Sequence, residues 1–367
     1  MPQRPKHQAI FEVIHSEIVQ GRYAAGSLLP SEQALCRRWD VSRPTVARAL
    51  RELQVLGLIE RRAGSGTYVR PNIQAKRPTL GLFIEGLGKT EIVDPICAEI
   101  TRAAQERGCG IFTGGFSADH SPRQIAEEWA TNGIRGVFFA PIEFRENREA
   151  YNIEVARSFE KAGMSVVLVD RDVTEYPQRS AYDLVAMDNF HAGCQLGLHL
   201  AEVGCKRIVF VAKPDYPGST DLRLAGVREG MRRGGGRNID FRVGDPQDDV
   251  FVSRLVAAAS RYEAIVCSND LTAAQLLQVV TIKGCRVPTV FKLAGFDDIH
   301  YATLLSIPLT TVRQPCRSIG IACVDAMLGR LDRPLLPPRT IHLRGDLVVR
   351  ASTAGPGQMP GKRGNLG

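Results

Sequence analysis

From Thr79 onward, short apolar runs recur with helical stretches between them, and this alternation limits the chain to few folds. The runs are LGLFIE (80–85), CGIFTGG (109–115), GVFFAP (136–141), SVVLVDRD (165–172), RIVFVAK (207–213), AIVCSND (264–270) and FKLAGFDD (291–298). Continuous apolar strands alternating with helices imply a parallel sheet covered on both faces. Most runs end in polar residues or glycine, and ligands bind at the carboxyl ends of strands in such sheets. The class expected is α/β. At 367 residues, 44% of them hydrophobic and 23% charged, the chain is long enough for two or three packed units.

The first 70 residues have a different texture. Ile10, Val13, Ile14 and Ile18 recur at helical spacing and predict a helix over about residues 5–20. Gly21, Gly26 and Pro30 mark a turn, and Ser31 is placed to cap a second helix reaching about Trp39. Ser42 is placed to cap a third helix, with Pro44 in its first turn, where a missing N–H costs little. Val46, Ala49, Leu50 and Leu53 mark its inner face, and Leu29 and Val41 are further core candidates. Two short strands, 58–62 and 67–70, flank the glycine-rich turn 63–66. Residues 71–78 (PNIQAKRP) read as a linker. The Gly- and Pro-rich end, 351–367, reads as a disordered tail.

Charge is unevenly placed. The formal net charge is +8, and residues 1–70 carry 11 Lys/Arg against 6 Asp/Glu. A basic end suits a polyanion. No run approaches the roughly 18 apolar residues of a membrane span, and the N-terminus lacks the apolar core of a secretion signal. A cytoplasmic protein without a membrane partner is expected. Nine cysteines are scattered with no C-x-x-C pair, which predicts buried thiols in a reducing compartment, with no disulfide framework, structural metal or cofactor.

The stretch 21–69 carries G-x-Y-x-x-G-x-L-L-P-S-E, then V-S-R-x-T-V-x-x-A-L-x-x-L, then G-L-I-x-R-R-x-G-S-G-T-Y-V. In these motifs it resembles the GntR-type winged helix-turn-helix. That resemblance implies double-stranded DNA as partner. The residues it places toward DNA are Ser31, Gln33, Ser42, Arg43, Thr45, Arg48 and the wing residues Gly64, Ser65 and Gly66. The physics agrees: a recognition helix presents its N-terminal residues to base edges, and Arg43 can bond guanine through two acceptors. Glu32 reads as a first-turn stabiliser. One departure is Ala47, where the family usually carries Arg; Arg48 lies one position on, turned by about 100°.

Residues 79–350 carry VVLVDRD (166–172), VAMDNFHAG (185–193), RLAGVREGM (223–231), AIVCSNDLTA (264–273), LAGFDDIHYATLLSIPLTTVRQP (293–315) and LVVR (347–350). Together these resemble the effector domain of the LacI/GalR family, similar to periplasmic sugar-binding proteins. The resemblance implies a two-lobed α/β domain with a sugar-like small molecule in the cleft, and an arabinose-repressor-like architecture for the whole chain. By family position Arg223, Asn269, Asp297 and Gln314 line the cleft, with Arg171 and Asp188 near the lobe junction. The loop 89–94, with Thr90 and Ile92, and the turn 140–142 form the other wall. Planar Arg, Asn, Asp and Gln side chains suit hydroxyls, which both donate and accept. Asp170 and Asp298 read as turn braces. The family's aromatic positions fall on 90–93 and Pro246, so aromatic faces are missing and the ligand need not be a common neutral sugar. The LacI-type hinge helix is absent.

The function expected is a homodimeric transcription regulator, a repressor, on a palindromic operator, controlled by the cleft ligand. A non-sugar or protein effector is an alternative. An enzyme with a DNA-binding head is another, but no catalytic residues are expected: G-x-S-x-G, H-E-x-x-H, the Walker loop and G-x-G-x-x-G after a strand are all absent.

Overall fold

A computed structural model describes residues 6–19, 22–24, 26–55, 58–62, 65–69, 78–84, 92–115, 120–143 and 146–354. The chain divides into two compact units, 1–77 and 78–367. The expected linker, except Pro78, and residues 355–367 of the expected tail lie outside the described residues, as do Gly64 and Thr90.

The first unit holds α1 (Lys6–Val19), α2 (Glu32–Trp39), α3 (Arg43–Val55), β1 (Ile59–Arg62) and β2 (Gly66–Val69). The two strands form an antiparallel hairpin pairing Ile59 with Val69 and Arg62 with Gly66. One core joins the elements: Ile10, Ile14 and Ile18 from α1 meet Leu35 from α2, Val46, Ala49, Leu50 and Leu53 from α3, and Ile59 and Val69 from the hairpin. Val13 departs from expectation. It is 40% exposed, because the buried stripe of α1 runs through positions 10, 14 and 18 and position 13 turns away from it. Glu17, itself buried, ties α1 to the segment that follows it and to α2 by accepting from Arg22 at 2.9 Å and from Arg38 at 2.6 Å.

The second unit contains two six-stranded sheets. The first sheet is built from β3 (Thr79–Ile84), β4 (Gly110–Gly114), β5 (Ile134–Ala140), β6 (Ser165–Val169), β7 (Asp183–Met187) and β13 (Thr340–Leu343). Its order is β13-β7-β6-β5-β3-β4, parallel throughout. The second is built from β8 (Arg207–Ala212), β9 (Asn238–Val243), β10 (Ala264–Cys267), β11 (Lys292–Asp297), β12 (Thr310–Arg313) and β14 (Asp346–Val348). Its order is β14-β12-β11-β10-β8-β9, parallel except for the β12–β14 pair.

Each of the seven apolar runs forms a strand. Strands β7, β9, β12, β13 and β14 were not among those runs. Of these, β9, β13 and β14 are edge strands, which cover one neighbour only and so need no continuous apolar run. Central strands show the two-faced burial that explains their composition. Leu82 and Phe138 face a core completed by α4 (Val93–Glu106) and α11 (Cys316–Asp332). Phe83 and Phe139 face the opposite core with α5 (Pro122–Thr131) and α6 (Arg148–Lys161). In the second lobe, α7 (Asn189–Glu202) and α8 (Gly218–Arg233) cover one face, and α9 (Asp249–Ala257) and α10 (Asp270–Ile282) the other.

The chain crosses between lobes three times: from β7 into α7, from β12 into α11, and from β13 into β14. The crossings touch. The Asp188 N–H donates to the Leu343 carbonyl at 2.8 Å. A Cβ at Gly345 would stand 2.6 Å from the Arg313 carbonyl and 2.9 Å from the Met187 sulfur, so only glycine lets the three segments lie this close. Helices α7 and α8 approach through glycines on both sides: a Cβ on Gly193 would come within 2.2 Å of the Arg223 carbonyl, and one on Gly226 within 2.1 Å of the Phe190 carbonyl.

The tail expected from residue 351 is anchored through 354. Ser352 and Thr353 are fully buried. The Ser352 hydroxyl donates to the Leu293 carbonyl at 2.6 Å, and Thr353 Oγ1 lies 2.8 Å from His199 Nε2 and 2.7 Å from Thr310 Oγ1. The Gly/Pro-rich composition begins only at Gly355, and Ser352 and Thr353 satisfy polar groups at the end of the second sheet.

Candidate functional site

In the first unit Ser31, Gln33, Ser42 and Arg43 are exposed at the starts of α2 and α3. Ser31 caps α2 by accepting from the Ala34 N–H at 3.2 Å, and Asp40 makes the turn out of α2 in the left-handed conformation, with φ 48°. That turn aims the start of α3 outward. Ser42 and Thr45 share a 2.9 Å hydrogen bond between hydroxyls. Arg43 is four-fifths exposed and donates to Glu32 at 3.0 Å. Arg61, from the hairpin, donates to the other Glu32 oxygen at 2.7 Å. Glu32 therefore does more than favour the helix dipole: it holds two arginines from different elements side by side. Gln33 is exposed, and Arg48 is exposed and paired with Glu52 at 3.5 Å along the helix. At the wing, Ser65 and Gly66 are exposed, Gly66 has φ +115°, and Ser65 Oγ lies 2.9 Å from the Tyr68 hydroxyl. The guanidinium of Arg62 stacks 4.6 Å over the Tyr68 ring. These side chains offer donors to phosphate oxygens and base edges.

In the second unit, the carboxyl ends of β5, β6, β8, β10 and β11 surround a hollow of about 510 Å³ between the lobes. Ile92, Arg171, Arg223, Asn269, Asp297 and Gln314 all line it. Arg223 is held on three sides: Nε donates to Asn189 Oδ1 at 2.8 Å, Nη1 to the Ser268 carbonyl at 2.7 Å, and Nη2 to Asp297 Oδ1 at 2.9 Å. Its guanidinium also stacks 4.9 Å from the Phe296 ring. Asn269 caps α10 by accepting from the Thr272 N–H at 2.9 Å, which occupies its oxygen. Gln314, at the crossing from β12 into α11, donates through Nε2 to Asp297 at 3.2 Å and to Asp170 at 3.3 Å. It thereby joins the two lobes.

The opposite wall is charged as well. Arg171 contacts Glu143 at 2.5 Å and Asp170 at 2.5 Å. Burial pushes the Asp170 carboxyl up, but the charge and hydrogen bond of Arg171, with Arg223 and Gln314, outweigh this and hold it below the usual carboxylate range. Glu143 goes the other way. Burial raises it first, Asp170 and Asp297 add to the rise, and Arg171 offsets only part. Beneath the floor, Asp270 accepts from the Thr311 hydroxyl at 2.7 Å and is held well above the usual range by burial and then by the charge of Asp297.

Two sequence expectations change here. Asp188 is not part of the lining: its carboxylate caps α7 by accepting from the His191 N–H at 2.9 Å, so its lone pairs serve a helix start. Asp170, read as a brace, lies in the lining. Asp298, read the same way, lies outside it and pairs with Arg313 at 2.7 Å and Arg350 at 2.6 Å. Glu143, Lys213 and Tyr216 also line the hollow and were not singled out. They sit in loops after strands, where no periodic pattern marks a ligand contact. A second hollow adjoins this one and shares Asp170, Arg171, Pro217 and Ser219 with it.

None of the nine cysteines forms a disulfide, and Cys97, Cys109, Cys205, Cys267 and Cys323 are buried. Among the described residues no His, Cys, Asp and Glu group could hold a metal ion, and no helix is long and apolar enough to cross a membrane.

Comparison with known proteins adds independent findings. Residues 6–69 match the family described as bacterial regulatory proteins, gntR family, and residues 198–353 match a periplasmic binding protein-like domain. The arabinose metabolism transcriptional repressor of Geobacillus stearothermophilus is 25% identical over 366 residues, covering 95% of this chain and 98% of that protein. Among solved structures, the transcriptional regulator CelR–cellobiose complex superposes with a TM-score of 0.63 at 21% identity, covering 85% of this chain and 91% of that one. The lac repressor dimer bound to operator and an anti-inducer gives 0.62 at 19% identity, covering 77% and 96%.

Proposed function

From a gntR-type head followed by a periplasmic-binding-protein-like body, we propose that this chain is a transcriptional repressor whose affinity for DNA is set by a sugar-like ligand in the interlobe cleft. The observation that carries this reading is the convergence of Arg223, Asn269, Asp297 and Gln314 on one polar hollow, in a chain whose other unit exposes Arg43 at the start of a helix. The relative from Geobacillus stearothermophilus, matched along nearly its full length, supports the repressor role, and the cellobiose-bound neighbour supports the ligand class. The protein works in the cytoplasm, by binding rather than turnover, and without a cofactor.

The lac repressor dimer on its operator supports a two-fold dimer here, with two heads on a palindromic site. Gln314 bonds carboxylates of both lobes, so a ligand seated beside it favours one lobe arrangement over others. Such differential binding, with couplings of about 1–3 kcal/mol, changes DNA affinity roughly 5- to 150-fold. Repression is relieved when the ligand binds.

The test is operator binding by the full chain with and without sugars and sugar derivatives, alongside thermal melting. A compound that raises the melting temperature and weakens operator binding, with both effects lost in Asn269→Ala, supports the reading. Ligand turnover, or a stabilising ligand that leaves operator affinity unchanged, refutes it.

A further inference from the structure

Resting on the sensor reading above, we infer that the cleft ligand carries an anionic group, a carboxylate or a phosphate ester, on an otherwise hydroxylated body, and that Lys213 receives that group. The cleft holds three carboxylates and three cations. Two of the cations are already answered: Arg171 by Glu143 and Asp170, and Arg223 by Asp297. The third, Lys213, lines the same hollow and has no ion pair or hydrogen bond among the described residues. It is the first residue after β8 and is half-buried, so its ammonium stands at the strand end where ligands meet such sheets.

The surroundings give the ligand a direction. Pro217, Ser219 and Thr220, at the start of the sixteen-residue helix α8, line the hollow on the side of Lys213, and no side chain caps that helix. The Thr220 N–H already donates to the Pro217 carbonyl at 2.9 Å, but the Gly218 and Ser219 N–H groups at the helix start and the ammonium together suit an anion. Acceptors lie elsewhere. Glu143 and Asp170 belong to the opposite wall, and Gln314, 4% exposed, donates through Nε2 to Asp170 and Asp297 while its Oε1 meets no donor among the described residues. A buried acceptor with no donor calls for one from a ligand. Hydroxyls of the ligand donate to this acceptor side while its acid group faces Lys213. A neutral sugar satisfies the first requirement and leaves the ammonium unanswered.

The experiment is titration calorimetry of the full chain with arabinose, ribose and glucose, and with the aldonate, the uronate and the terminal phosphate ester of each. At least one anionic member is expected to bind roughly tenfold or more tightly than its neutral parent, since a charge-assisted hydrogen bond is about twice as strong as a neutral one. The ratio should shrink as salt is added, collapse toward one in Lys213→Met and persist in Lys213→Arg. Preference for the carboxylates or for the phosphate ester identifies which acid the site takes, and either supports the inference. Neutral parents binding as tightly as every acid, or a preference that survives Lys213→Met, overturns the anion assignment and leaves the sensor reading intact. Binding of no compound in either set, with operator DNA still bound, overturns both.

Discussion

The arginines of the head and of the cleft meet carboxylates at nearly the same distance in opposite surroundings. Arg43 stands 3.0 Å from Glu32 with 80% of its side chain exposed. Arg223 stands 2.9 Å from Asp297 with both side chains 8% exposed. In water an ion pair contributes little, so Arg43 can leave Glu32 for a phosphate or a guanine at small cost. In the cleft, losing one partner leaves a charge buried and unanswered. The same pair of residue types is exchangeable on the head and architectural in the lobes.

Breaking the buried pair should have the largest effect. Asp297→Ala strands Arg223 and also removes an aspartate that tolerates a φ of 108°. A loss of about 3–5 kcal/mol in denaturant unfolding is expected. A loss as small as that of Arg43→Ala would erase the distinction. Next comes Gly226→Ala, whose new Cβ would stand 2.1 Å from the Phe190 carbonyl and force α7 from α8. About 1–3 kcal/mol should be lost, and ligand binding with it, because Asn189 on α7 orients Arg223 on α8. Full ligand affinity in this variant would show that helix packing does not set the arginine's position.

On the head, Arg43→Ala should cost about 1–3 kcal/mol in operator binding and relax one base preference. The melting of the free protein should hardly move. A large drop in melting with unchanged operator affinity would reverse the roles assigned to the two arginines.

The smallest effect expected is on the acid limb of stability. Burial raises the Asp183 carboxyl, but bonds from Arg330 and from the Arg339 backbone and side chain outweigh it and hold it below its ordinary value of 3.8. A depressed folded-state pKa gives stability that is present above 3.8 and lost as pH falls below it toward the folded value. Asp183→Asn should therefore be less stable than the parent at neutral pH and flatter below pH 4. Parallel acid limbs for the two proteins would remove Asp183 from this account.

Much of both surfaces was legible in the chain. Arg43 sits in a dense local motif, and Arg223, Asn269, Asp297 and Gln314 each lie in a short run that a strand end or helix start explains. Asp188 sits at the lobe junction as a cap of α7 and outside the lining of the hollow, since an aspartate before a helix serves as a cap as readily as it serves a ligand. Lys213 was marked only as the polar end of an apolar run, and Glu143 not at all, because it follows a strand in a loop with no period. They share one hollow only because β5 and β8 lie in different sheets facing one cleft.

The sequence by itself determined the elements of the head and the seven apolar strands of the body, because apolar spacing and turn residues act over a few positions; it did not mark β7, β9, β12, β13 and β14 or the exposure of Val13. It determined the split between a small helical head and a strand-rich body for the same reason. Only the tertiary structure decided which charges pair and which stay open. Arg171 finds Glu143 at another strand end as well as its chain neighbour Asp170, Arg223 finds Asp297 74 residues on, and Lys213 finds none among the described residues. Ion pairing depends on distance in space and on burial, and no local pattern encodes either between separate strand ends and helices.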